Sequence, residues 1–112
     1  MIGGLTPERA AQIPELVAEK SKLRDGLRRT WKEKFEALKK LREEQVKEQE
    51  TMTRLKAAGK LNLSDKDMAE AYESNQDKLD AAIRDAQNYL DDASELDREI
   101  EELNAELADK GN

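Results

Sequence analysis

Ala57-Ala58-Gly59-Lys60-Leu61-Asn62-Leu63-Ser64-Asp65-Lys66-Asp67-Met68 holds a helix stop followed at once by a helix start. Glycine enters the left-handed conformation without steric penalty, so Gly59 suits the position just past a helix end, with Leu61 available for the apolar contact that accompanies such a cap. Ser64 followed three residues later by Asp67 approximates a capping box, and Leu63 with Met68 has the spacing of a hydrophobic staple. A connection of about five residues makes two long helices antiparallel neighbours. The expected fold is therefore all-α, an antiparallel two-helix coiled-coil hairpin.

Upstream of the turn, the apolar positions from Pro14 to Ala58 are Leu16, Leu23, Leu27, Trp31, Phe35, Leu38, Leu41, Val46, Met52 and Leu55. Steps of three and four dominate, which is the helical period. Leu23, Leu27, Leu38 and Leu41 make a central stripe, with Val17, Phe35 and Val46 on a shoulder wider than one partner helix requires. Thr6-Pro7-Glu8 opens a helix, with threonine as cap and proline at the first helical position. Pro14 disfavours helical geometry at Ile13, which predicts a kink or a separate short N-terminal helix over 7–12, with the main helix opening at Pro14. The expected segments are a lead and short helix over 1–13, a helix over 14–58, a turn over 59–64, a helix over 65–109 and a tail over 110–112.

Downstream, the apolar row is Met68, Tyr72, Leu79, Ile83, Ala86, Leu90, Ala93, Leu96, Ile100, Leu103 and Leu107. Its intervals average about 3.5 from Leu79 onward, which demands a left-handed supercoil, and two consecutive threes around Ala93 predict a register adjustment there. With the turn centred near Leu61 and Asn62, facing residue numbers total about 123. That register sets apolar against apolar over most of the pair, and Gln45 and Gln49 against Leu79, Asn75 and Gln76. It also sets charge against charge. Ten Lys or Arg from Lys20 to Arg42, against Asp25, Glu33 and Glu36, face ten Asp or Glu from Asp85 to Asp109, against Arg98. Such a pattern forbids the parallel alternative and fixes orientation.

With 112 residues, 41 % charged and 4 % aromatic, the chain is one domain without a thick core, and its periodic charge pattern is that of long helices, not of disorder. It has no cysteine and no histidine, which removes disulfides, thiolate ligands, thiol nucleophiles and imidazole bases together. The apolar runs are too short for a membrane span, and the start lacks a secretion signal. A cytoplasmic protein, or one packed within a virion or other assembly, is expected.

Chemistry-bearing signals are few. The basic block with Trp31 and Phe35 has the ingredients of a nucleic-acid face, but the acidic helix is long enough to cover it, which disfavours nucleic acid as a partner. The acidic run 91–102 lacks the glycine turn and alternating oxygen ligands of a calcium loop. Paired carboxylates need a desolvating cleft to work as acid and base, and a helix pair offers none. No catalytic, cofactor-binding or metal-ligating residue is assigned, no small-molecule substrate is expected, and the chain is read as no enzyme.

Asp65 and Asp67 stand at the turn. Leu63-Ser64-Asp65 with Ala69-Glu70-Ala71-Tyr72 resembles the tip of the coiled-coil finger of bacterial transcript-cleavage (Gre-type) factors. That resemblance implies a transcription regulator inserting an acidic tip, Asp65 and Asp67, near the catalytic magnesium of RNA polymerase. Helix capping accounts for the same two aspartates.

The main functional expectation rests on the shoulder. A lone helix pair buries little, and small helical chains recruit further helices. Val17, Trp31, Phe35 and Val46 are the candidate partner-binding residues, covered by the folded-back N-terminal helix, by a second copy forming a four-helix bundle, or by a helix of another protein. The function expected is a non-enzymatic protein-protein interaction module: an assembly scaffold, small chaperone or stalk. An inhibitor of phage or accessory type is the alternative beside the polymerase regulator.

Overall fold

The computed structural model describes residues 4–109. Two helices, α1 (Pro7–Ala57) and α2 (Asp65–Ala108), make an all-α hairpin, and among the described residues there is no strand. The reversal is built as its residues dictate. Gly59 takes a φ of 72°, the Lys60 N–H donates to the Leu55 carbonyl at 2.9 Å, and the Gly59 N–H donates to the Lys56 carbonyl at 3.0 Å. These two bonds define a Schellman stop. The start follows five residues on, where the Ser64 hydroxyl accepts from the Asp67 N–H at 3.1 Å and its carbonyl accepts from the Met68 N–H at 3.0 Å. Leu63 is half-buried and Met68 buried, as a staple requires.

The first helix departs from expectation at its beginning. No separate short helix is present: α1 runs from Pro7 without a break through Pro14. Thr6 caps it, its hydroxyl accepting from the Arg9 N–H at 3.1 Å and its carbonyl from the Ala10 N–H at 2.9 Å. An interior proline costs about 3 kcal/mol. Two anchors in the turns before Pro14 oppose that cost. Ile13 is fully buried, and the Arg9 guanidinium forks onto Glu106 through Nε at 2.9 Å and Nη2 at 3.0 Å. Pro14 itself faces solvent. The start of the lead and the tail over 110–112 lie outside the described residues.

The hairpin divides into two units. The terminal unit comprises Met1–Trp31 with Asn88–Asn112, of which 4–31 and 88–109 are described, and the turn unit is Lys32–Gln87. In the terminal unit Ile13, Ala93, Ile100 and Leu103 are buried, with Val17, Leu27, Trp31 and Leu96 half-buried around them. Acidic α2 meets basic α1 at its edges: Lys20 bonds Glu99 at 3.2 Å, while Arg24 and Arg28 share Asp97 at 3.0 and 2.6 Å. In the turn unit only Met68 and Ala86 are buried apolar residues among those described, together with the side chain of Gln45. Its Nε2 donates to the Asn75 carbonyl across the pair at 3.0 Å. Lys34 reaches Asp85 at 3.3 Å on one edge, and the hydroxyls of Thr53 and Tyr72 bond at 3.1 Å.

Two features of the stripe differ from the sequence reading. Leu23, placed at its centre, is 61 % exposed, and Arg24 takes the inner position beside it. In α2 one unbroken row of buried or half-buried residues, Leu79, Ala82, Ala86, Tyr89, Ala93, Leu96, Ile100, Leu103 and Leu107, alternates steps of three and four, with Leu90, also half-buried, beside Tyr89. The register adjustment expected at Ala93 is therefore absent. It came from assigning Ile83 and Leu90 to the row where Ala82 and Tyr89 keep the 3.5-residue period.

Candidate partner-binding surface

An apolar side chain one place off a coiled-coil seam is driven outward by the period itself, because the supercoil keeps only the seam positions facing the partner helix. Phe35 follows seam position 34, Val46 follows Gln45, and Ile83 follows Ala82. They are 38 %, 46 % and 45 % exposed. All three belong to the turn unit, and all three sit on the C-terminal side of a seam position. In an antiparallel pair that offset places residues of both helices along one shared flank. Lys39 lies over this flank with its ammonium 4.8 Å from the Phe35 ring centre, a cation–π distance, and reaches Glu36 at 3.6 Å. Toward the turn the flank continues as a shallow trough whose walls include Val46, Gln49, Thr53 and Tyr72.

Of the four residues nominated from the sequence, the structure brings Phe35 and Val46 onto this surface. Val17 and Trp31 are half-buried seam residues of the terminal unit. Ile83 was missed as a surface residue. Counted back from Ala86, a step of three reaches Ile83 and a step of four reaches Ala82, and the structure takes the step of four. Leu55, at 36 % exposure, lies outside the flank, beside the stop of α1.

The tip is organised by its own ion pair. Lys56, in the last turn of α1, bonds the Asp65 carboxylate at the first position of α2. That hydrogen bond, and then the lysine charge, hold Asp65 below the ordinary carboxylate value. Asp67 sits three places past Ser64, with its backbone N–H on the Ser64 hydroxyl. An acid in the first turn and a base in the last turn also oppose the helix dipoles favourably. The chemistry of capping thus accounts for the position of both aspartates.

The other perturbed groups are ion-pair members. Glu106 is held low by the hydrogen bond and then the charge of Arg9, and Glu95 by its hydrogen bond to Arg98, with Arg98 also reaching Glu102. Arg9, Arg24 and Arg98 are raised first by hydrogen bonds to Glu106, Asp97 and Glu95 respectively. No group of three or more acidic ligands arranged to hold a metal ion occurs among the described residues, where no helix is long and apolar enough to cross a membrane.

Fold and surface together define a class: an all-α antiparallel helical hairpin with an apolar flank on its turn unit. No family model, curated protein or solved structure matches the chain.

Proposed function

We propose that this chain is a non-enzymatic protein-interaction module, an assembly scaffold or small chaperone, that works by docking another helical surface on the flank of its turn unit. One observation carries the reading. Among its described apolar residues the turn unit buries only Met68 and Ala86 and half-buries Leu38, Leu41, Met52 and Leu79, while Phe35, Val46, Leu55 and Ile83 are exposed, so a cluster of large apolar side chains faces outward. Exposed apolar clusters on a helical scaffold are the usual anchors of helix-in-groove and bundle contacts.

Site-specific photo-cross-linking tests the proposal in cells. A benzophenone side chain in place of Val46 should give a discrete protein adduct, and the same group in place of Lys22, an exposed residue of the terminal unit, should give none. Equal labelling at both positions, or none at Val46, would reject the docking flank.

A further inference from the structure

The charges along this flank follow a rule that its apolar residues alone do not require. Half-buried Leu38 and Leu41, buried Gln45 and half-buried Met52, spaced by three, four and seven, mark the seam of α1 in the turn unit. The positions following that seam carry Phe35, Lys39, Arg42, Val46, Gln49 and Thr53, a strip with two cations and no acid. The corresponding strip of α2 carries Glu73, Gln76, Asp80, Ile83 and Gln87, with two acids and no cation. Lys39, Arg42, Glu73 and Asp80 are all exposed. Elsewhere on α1 the signs are mixed: the outer face of the same stretch holds Lys40, Glu43, Lys47 and Glu50. The segregation is thus confined to the flank that also carries Phe35, Val46 and Ile83.

A surface with one cationic strip and one anionic strip, side by side and apolar between, is complementary to itself. Resting on the docking flank proposed above, we propose that its occupant is a second copy of this chain. The two-fold axis runs along the hairpin, so the α1 strip of each copy lies on the α2 strip of the other. Facing numbers in the turn unit, set by Gln45 with Asn75 and Lys34 with Asp85, bring Lys39 level with Asp80. The same operation therefore sets Lys39 against the partner's Asp80 and Arg42 between the partner's Asp80 and Glu73, twice over, and packs Phe35 against the partner's Ile83. An axis across the helices would instead lay α1 on α1 and cation on cation, which like-charge repulsion disfavours. An isologous contact of this kind closes at two copies and forms a four-helix bundle at the turn unit.

Charge exchange tests the proposal directly. In sedimentation equilibrium the wild-type chain should have twice its 12.7 kDa monomer mass. Lys39→Glu with Arg42→Glu, or Glu73→Lys with Asp80→Lys, should each weaken self-association by about tenfold or more while leaving helix content unchanged. Mixing the two variants in equal amounts should restore a pair containing one of each. A wild-type chain that stays monomeric at ~100 µM, a concentration that populates contacts of modest affinity, would overturn the proposal. So would variants that pair as well as wild type, or a mixture that stays apart. The wild-type mass decides even if a variant fails to fold. A Val46 adduct made only with a foreign protein would sink the second copy and leave the docking flank standing.

Discussion

The two units are made from the same pair of helices with the same period, yet they distribute their apolar residues in opposite ways. In the terminal unit the branched side chains Ile13, Ile100 and Leu103 are buried, and among its described residues only Leu23 is a large, strongly exposed apolar one. In the turn unit Gln45 and Ala86 are buried and Leu38, Leu41 and Met52 only half-buried, while Phe35, Val46 and Ile83 face outward. A shift of one position therefore separates a helix pair that satisfies itself from one that presents a surface. The terminal unit adds cross-pair bonds from Arg9, Lys20, Arg24 and Arg28, so its edges are closed by charge as well.

The contrast is broken most forcefully by emptying the better core. Ile13→Ala should lower unfolding stability by about 3 kcal/mol, the cost of a buried large-to-small change that leaves a cavity. In the same denaturant titration, Val46→Ala should change the monomer by less than about 0.5 kcal/mol, as expected of a surface substitution. Equal losses would mean that both units pack alike.

Gly59, just past the stop of α1, and Gly26, inside α1, should respond with opposite signs. Gly59→Ala forces a side chain into a φ of 72° and should cost about 1 to 2 kcal/mol. Gly26 has open space where a Cβ would stand, so Gly26→Ala in the terminal unit should stabilise by about 1 kcal/mol through helix propensity. Thermal melts of the two variants give both signs in one experiment. Gln45→Leu sharpens the comparison from the other side. It should stabilise the turn unit by about 1 kcal/mol, the margin of leucine burial over one hydrogen bond. It should also loosen the register that the bond to Asn75 fixes, readable as a broadened distance distribution between spin labels on the two helices.

The smallest effect is acid dependence. Glu106 and Asp65 ionise more readily in the fold than at their ordinary values of 4.5 and 3.8, because Arg9 and Lys56 hold the charged forms. Their stabilisation is complete above those ordinary values and is lost as pH falls below them, through the lower values the fold imposes. Glu106→Gln should therefore flatten the decline in melting temperature below about pH 4.5 in the terminal unit, and Asp65→Asn should do so at the turn below about pH 4.

Much of the fold was legible because local chemistry and global topology agree in this chain. Gly59 and Ser64 specify the reversal without help from distant residues, and the opposed charge blocks predict the partners of Lys20, Arg24 and Arg28. Pro14 was misleading, since propensity cannot register that burial of Ile13 and the fork of Arg9 on Glu106 hold the helix together across it. The surface was only partly legible. Phe35 and Val46 stood out as off-stripe residues, but Ile83 next to Ala82 satisfies either a 3.6 or a 3.5 period, and only the supercoil decides between them. Val17 was drawn to the shoulder for the converse reason: a straight-helix projection rotates an early seam position away from the stripe that the supercoil keeps aligned.

Amide hydrogen exchange followed at several protein concentrations tests the central contrast most directly. The account predicts slow, concentration-independent exchange over 93–103, and faster exchange over 68–86 that slows as concentration rises and the flank is covered. Equal protection of the two segments at every concentration would contradict it.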